Sequence, residues 1–161
     1  MQGVIERIRI YPQKGSAGLE LQEAQLIEGL GLDGDYHAPA GKQPKPETRQ
    51  LSLLPANSRD ELTKQKEKGL CFSRFKENIC IHGITADAIR PGARLETEEV
   101  VLEITGETKR CHEECGLYQA GKLCPLAGQS LFAKVLKGGL IRAGDKITEI
   151  HNDQKQFPVL S

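Results

Sequence analysis

The chain has 161 residues, which is the size of one domain and enough to bury a single hydrophobic core. Its 22 Lys and Arg residues balance its 22 Asp and Glu residues, so the charge does not favour bulk binding of nucleic acid or of an anionic membrane. No apolar stretch approaches the roughly 20 residues that cross a bilayer, and the N-terminus lacks the layout of a signal peptide. We therefore expect a cytoplasmic protein with a small partner and no membrane contact.

Short β-strands separated by tight turns are predicted along most of the chain. Residues 7–10 alternate Arg with Ile, residues 51–53 place Leu on both sides of Ser52, and residues 100–105 form a β-branched run. The 17 glycines supply frequent turns, which favours a β-barrel or a β-sandwich. The side chains expected to lie largely inside are Leu51, Leu53, Val101, Ile104, Val135 and Ile147.

Two helices are predicted among these strands. Ser58 and Glu61 fit a capping box and Gly69 fits a C-terminal stop, so the first helix is expected near 58–68. The second is expected from about Leu126 to Leu136, where apolar residues recur at helical spacing. We expect residues 3–150 to form one domain and residues 151–161 to form a C-terminal tail.

The five cysteines are odd in number and unevenly spaced, which does not suggest a disulfide framework. Three of them, Cys111, Cys115 and Cys124, lie within fourteen positions, together with His112. A thiolate ligates soft metals or carries sulfur, and neighbouring cations lower its pKa. Cys111 follows the pair Lys109-Arg110, so it is the strongest candidate for a functional sulfur. If residues 111–115 are helical, Cys115 lies one turn away on the same face.

These four donors also raise the question of zinc. Structural zinc sites usually use paired knuckles, whereas this segment has only one Cys pair of suitable spacing, and adjacent Cys111 and His112 rarely ligate the same ion. Zinc is therefore the weaker of the two metal interpretations. Cys71 and Cys80, which lie in apolar surroundings, are expected in the core.

Four segments in a fixed order resemble the MOSC domain, the family named for the C-terminal domain of molybdenum cofactor sulfurases, and in particular its small stand-alone bacterial members. They are Gly31-Leu32-Asp33-Gly34-Asp35-Tyr36-His37, Arg49-Gln50-Leu51-Ser52-Leu53-Leu54, Phe75-Lys76-Glu77-Asn78-Ile79, and the C-terminal segment from Cys111 to Asp145. The resemblance covers roughly residues 3–150. It implies a mostly β fold, a MOSC-like β-barrel with a few short helices, and a link to molybdenum cofactor.

The resemblance also suggests roles for individual residues. Cys111 matches the family's cysteine that bears a persulfide or ligates molybdenum, and Cys115 would be a resolving thiol or second ligand. Arg49 matches the family's Arg before the strand and would bind the phosphate of the pterin.

Four further residues complete the predicted site. His37 would orient a ligand or protonate a leaving group, because His titrates near neutral pH. Asp35 and Asn78, with His112, would contact the cofactor. Asp35 could instead cap its turn, and Asn78 could instead bind neighbouring backbone. We expect His37, Arg49 and Asn78 to approach Cys111 in space.

Two classes of function remain open. In the first, the protein binds molybdenum cofactor (molybdopterin), with Cys111 ligating the metal or passing sulfur to it. Such a protein could be a sulfur transferase, a component of a molybdenum-dependent reductase or a delivery protein. Its partners would be cofactor-biosynthesis proteins or a cysteine desulfurase, and pyridoxal phosphate would be bound only on that separate protein. In the second, the protein is a non-catalytic interaction module of the molybdopterin pathway that uses its cysteines for a structural zinc site or for no metal.

Overall fold

The structure is a computed structural model that describes residues 1–36, 49–64, 75–107, 109, 112–122 and 124–150. In that part of the chain, no helix is long and apolar enough to span a membrane. Strands dominate. They are β1 (Gln2–Ile10), β2 (Leu19–Leu21), β3 (Glu23–Ile27), β4 (Gly31–Leu32), β5 (Leu51–Pro55), β6 (Ile79–His82), β7 (Arg94–Glu96), β8 (Val101–Ile104), β9 (Leu131–Lys137), β10 (Gly139–Arg142) and β11 (Lys146–Ile150). The helices are α1 (Ala56–Lys64), α2 (Gly116–Gln119) and α3 (Pro125–Gln129), with a 3-10 turn at Ala86–Ala88.

Seven of these strands close into a mixed β-barrel. Their order is β11-β7-β8-β9-β5-β6-β1, and the pairing of β11 with β1 completes the circle. All neighbours are antiparallel except β5 and β6, which are parallel and need a crossover connection. β2 extends the barrel sheet beside β1, and β10, β3 and β4 form a second, smaller sheet. The predicted mostly β fold, a β-barrel with a few short helices, is confirmed.

The barrel interior is filled by aliphatic side chains from every barrel strand. In β1, the alternation of buried and outward-facing residues changes partway along the strand. Gly3 and Ile5 are buried at odd positions, whereas the next buried residue is Ile8. A β-bulge between Ile5 and Arg7, in the pairing with β6, accounts for the change. An extra residue reverses the facing of all that follow, so Arg7 and Arg9 are directed away from the core.

A second apolar cluster lies outside the barrel, because β5 is buried on both faces. Leu51 and Leu53 belong to the barrel core, while Leu54 belongs to the outer cluster. The other buried members of that cluster are Leu62, Cys115, Leu117 and Leu126, and Phe75 and Cys124 pack against it. The short helices thus form a layer over this side of β5, next to the segment that precedes β6.

Most predicted elements are confirmed, with two exceptions. The first helix is confirmed over 58–64, and the remaining residues, 65–68, lie outside the described part. The second helix is wrong beyond Gln129: Ser130 has an extended backbone, and residues 131–137 form β9, which pairs with both β8 and β5. Two rows of ladder hydrogen bonds outweigh the local helical spacing.

The interior positions are confirmed for Leu51, Leu53, Ile104, Val135 and Ile147, each at most 2% exposed. Val101 is only half-buried, so its prediction is wrong. The pairing of β8 with β9 shifts register between Val101 and Leu102, and Val100 and Leu102 take the buried positions instead. Cys80 is buried as expected, whereas Cys71 lies outside the described residues.

Candidate functional site

The predicted site residues divide into those that the structure describes and those that it does not. His37 and Cys111 lie outside the described residues, so the predicted approach of His37, Arg49 and Asn78 to Cys111 stays a prediction. Asp35, Arg49, Asn78, His112 and Cys115 are described.

Asn78 lies between three strands at the start of β6. Its Oδ1 accepts hydrogen bonds from the Ser52 backbone N–H and from the Ser52 hydroxyl, both at 3.1 Å, and its Nδ2 donates to the carbonyl of Arg9 at 3.2 Å. The side chain is 3% exposed. Asn78 therefore ties β1, β5 and β6 together with both ends of its amide.

Asp35 is connected to the same region through Tyr11. The carboxylate of Asp35 accepts the Tyr11 backbone N–H at 2.7 Å, and the Tyr11 hydroxyl donates to the carbonyl of Glu77 at 3.0 Å. Burial raises the pKa of Tyr11 to about 12, with a further contribution from the negative charge of Glu77. Tyr11 thus links the turn that holds Asp35 to the residue that precedes Asn78.

The backbone also brings two of the resembling segments together. Gly31 has φ +127, and a Cβ added there would lie 2.5 Å from the carbonyl oxygen of Gln50. Only glycine permits this approach without a shift of one of the two backbone segments. The Gln50 side chain in turn accepts the Val135 N–H at 2.9 Å. The Gly31–Asp35 turn therefore lies against the beginning of the Arg49–Leu54 segment.

Arg49 lies at the opposite end of that segment from Leu54 and interacts with Glu107. Its Nε and Nη2 each approach Glu107 Oε2 at 3.1 Å, and its guanidinium lies 5.1 Å from the centre of the Phe132 ring. About a third of each of the two charged side chains is exposed. Arg49 is thereby held close to the chain that follows β8 and leads to Cys111.

The described residues that follow Cys111, 112–115, form a turn rather than the helix considered above. The carbonyl of exposed His112 accepts the Cys115 N–H at 3.0 Å, and Cys115 is the N-cap of α2. The Cys115 side chain is buried in the outer cluster, while Cys124 is half-buried. In the described part of the chain, no three His, Cys, Asp or Glu side chains come together as metal ligands.

A cleft of about 360 Å³ opens beside Tyr11 and is strongly basic. We call it the basic cleft; the cations that line it are Arg7, Arg9, Arg59 and Lys76. Each of these side chains is half-buried. Tyr11, Ser16 and Thr63 also line it. Such a set of donors is suited to an anion rather than to a neutral ligand.

The charges of the basic cleft are only partly compensated. Arg59 donates from Nε to Glu77 Oε1 at 3.1 Å and from Nη2 to Glu77 Oε2, a bidentate ion pair. Lys76 Nζ donates to the Ser16 carbonyl at 3.2 Å and lies 5.3 Å from the Tyr11 ring centre. Among the described residues, Arg59 is the one cation of the four that has an ion pair. The described residues that line the cleft therefore carry an excess of positive charge.

The sequence analysis named none of these four cations as a site residue, although Lys76 lies in one of the four resembling segments. Arg7 and Arg9 alternate with Ile8 and Ile10, and this alternation predicts that the two arginines share one face of a strand. Their proximity to Arg59 on α1 was not predictable from the spacing of residues, because Arg59 lies 50 positions after Arg9 in the sequence.

The closed barrel and the order of the four segments define the class of protein. The chain belongs to the MOSC domain family, whose model matches residues 33–148. It is similar in structure to the YuaD protein of Bacillus subtilis, with 17% identity over 91% of this chain and 94% of that one, at a TM-score of 0.66.

Other solved structures show the same likeness. YiiM of Escherichia coli has 17% identity over 94% of this chain and 70% of its own, at a TM-score of 0.58. YiiM of Geobacillus stearothermophilus has 12% identity over 94% and 76%, at 0.59. At these identities the likeness shows the fold alone. No curated protein matches the chain.

Proposed function

We propose that this MOSC protein binds molybdenum cofactor, with its phosphate in the basic cleft and with Cys111 as the sulfur that ligates molybdenum or carries sulfur to it. The observation that carries the proposal is the excess positive charge of the cleft. A phosphate monoester carries close to two negative charges near neutral pH and offers three acceptor oxygens. Arg9 and Lys76 supply charge and donors for it, and the Tyr11 ring forms one wall.

The described residues fit the anionic part of the cofactor. Asp35 and Asn78 hold the walls of the cleft through Tyr11 and Arg9, so we assign them a positioning role at this site. Arg49, three positions before Ser52, adds a cation beside Glu107, in the chain that leads to Cys111. When bound, the cofactor would supply a redox-active molybdenum centre.

Cys111 would act as a thiolate in this scheme. Lys109 and Arg110 precede it directly, and nearby cations favour the ionised form. A hydroxyl in its place stays protonated at neutral pH and is a poor ligand for a soft metal. Cys115, buried in the outer cluster, would take at most an auxiliary part. A sulfur donor such as a cysteine desulfurase would be a separate protein.

The test is the metal and pterin content of protein made in a host that produces molybdenum cofactor. We expect molybdenum and extractable pterin in the wild type, loss of molybdenum in Cys111→Ser, and a smaller effect in Cys115→Ser. Arg9→Gln and Lys76→Gln should lower molybdenum and pterin together, because they act on the phosphate. Arg142→Gln, which removes an exposed arginine of β10, is the matched control.

Two results would contradict the proposal. Absence of molybdenum from the wild type, with zinc in its place or without it, would favour the interaction module, and unchanged molybdenum in Cys111→Ser would remove the assignment of the sulfur.

A further inference from the structure

We propose that Glu77 is a positioning residue of the basic cleft, whose buried carboxylate fixes the Arg59 guanidinium for phosphate binding. The inference rests on the proposed function, because it takes a phosphate to be the occupant of the cleft. It concerns a residue whose charge has the same sign as that occupant.

Glu77 is unusual in its placement. Only 3% of the residue is exposed, yet it carries a carboxylate directly beside a cleft lined by four cations. Both of its oxygens are engaged by Arg59, and its backbone carbonyl accepts the Tyr11 hydroxyl at 3.0 Å. Its side chain and its backbone are therefore both fixed by residues that line the cleft.

A carboxylate in this position has two opposing effects on an anion. Its charge repels the anion, and the repulsion is strong because the group is buried and poorly screened. Its bidentate contact also holds a long, flexible guanidinium in one orientation before the anion arrives, which lowers the cost of ordering it on binding. If orientation dominates, removing the carboxylate weakens anion binding although the cleft becomes more positive.

The two effects can be separated by changing Arg59 as well. With Arg59 present, Glu77→Gln should weaken phosphate binding. With Arg59 replaced by Gln, the carboxylate has lost the residue that it orients and only repels the anion. In that background, Glu77→Gln should strengthen phosphate binding. A residue that served only the stability of the barrel would not reverse the sign of its effect.

The experiment measures the dissociation constant of inorganic phosphate at fixed pH and ionic strength for the wild type, Glu77→Gln, Arg59→Gln and the double variant. We expect Glu77→Gln to weaken binding by about tenfold, the value of one hydrogen bond to a charged group. The double variant should bind more tightly than Arg59→Gln alone. The matched control is Glu23→Gln, which breaks an exposed pair with Arg142. It should leave phosphate binding unchanged.

The inference is overturned if Glu77→Gln binds phosphate as well as or better than the wild type, or if the double variant does not improve on Arg59→Gln. If Glu77→Gln fails to fold, Arg59→Lys provides the test with Glu77 intact. Lysine keeps the charge but lacks the planar fork, so we expect weaker phosphate binding, and equal binding overturns the inference.

The proposed function can fail separately. A wild type that binds phosphate but retains no molybdenum contradicts the proposed function, and the variants still decide the role of Glu77. A wild type that binds no phosphate overturns the role of Glu77, whatever the metal content.

Discussion

Arg9 and Asn78 are joined by a pair of hydrogen bonds across two strands of the barrel. The Arg9 N–H donates to the Asn78 carbonyl at 2.7 Å, and the Asn78 side-chain amide donates to the Arg9 carbonyl at 3.2 Å. Asn78, which the family resemblance assigned to cofactor binding, is thereby attached to the backbone of Arg9, which lines the basic cleft. We therefore expect Asn78 to influence the cleft through the fold rather than by direct contact with a ligand.

The first prediction follows from this attachment. Asn78→Ala should lower the free energy of unfolding by about 2–4 kcal/mol, because it leaves the buried Ser52 N–H and the Arg9 carbonyl without their side-chain partner. Urea denaturation measures this loss. Asn57→Ala, which changes an exposed asparagine of α1, should cost much less. An Asn78→Ala protein with wild-type stability but reduced cofactor would instead favour direct contact with the ligand.

The second prediction concerns Tyr11 and pH. Its pKa is raised from 10.0 to about 12 in the folded protein, chiefly by burial. The folded state therefore prefers the protonated phenol, and the stability that this contributes is complete below pH 10 and lost as the pH rises towards about 12. Tyr11→Phe should remove this part of the alkaline decline. Unfolding free energies of the two proteins across that range measure the difference, and parallel curves would contradict it.

The local parts of the fold were predictable from the sequence, and the parts that depend on distant partners were not. The alternation in β1 and the β-branched run of β8 identified strands, because period-two patterns are local. Residues 131–136 were assigned to a helix, since nothing local shows that two strands separated from them in sequence will flank them. Pairing with β5 and β8 makes this segment a strand.

The candidate site also has parts that were predictable from the sequence and parts that were not. Asp35, Arg49 and Asn78 were chosen through the family resemblance, and the structure brings Asp35 and Asn78 to one network through Tyr11. The basic cleft depends on the bulge in β1, which directs Arg7 and Arg9 outward, and on the crossover helix that carries Arg59. Neither is visible in the spacing of charges along the chain.

The third prediction separates stability from binding at Arg49. Its pair with Glu107 is about one-third exposed, so Arg49→Gln should change the unfolding free energy by only about 1 kcal/mol or less. If Arg49 binds the cofactor, molybdenum and pterin content should fall far more than this small loss of stability explains. Glu107→Gln removes the partner while keeping the cation, so it should retain more cofactor than Arg49→Gln. Equal cofactor in all three proteins would exclude a role for Arg49 in binding.

The last prediction concerns the reactivity of the thiols. Burial raises the pKa of Cys80 above its ordinary value, and this outweighs the opposite effect of the hydrogen bond from Arg7. At neutral pH, Cys80 therefore holds little thiolate, and its side chain is shielded from reagents. Cys111 follows two basic residues, which favour its thiolate. Limited treatment with iodoacetamide near neutral pH should label Cys111 first and Cys80 much later, as read by peptide mapping.

Raising the pH provides the control for this order. Labelling of Cys80 should increase with pH through the alkaline range, because its pKa is raised, and should stay slower than labelling of Cys111 near neutral pH. Buried Cys115 should also react slowly, and the Cys111→Ser variant should lose the fast phase of labelling while the slow phase of Cys80 is unchanged. Fast labelling of Cys80 at neutral pH, or a fast phase that survives in Cys111→Ser, would assign the reactive thiol elsewhere and leave the proposed sulfur without support.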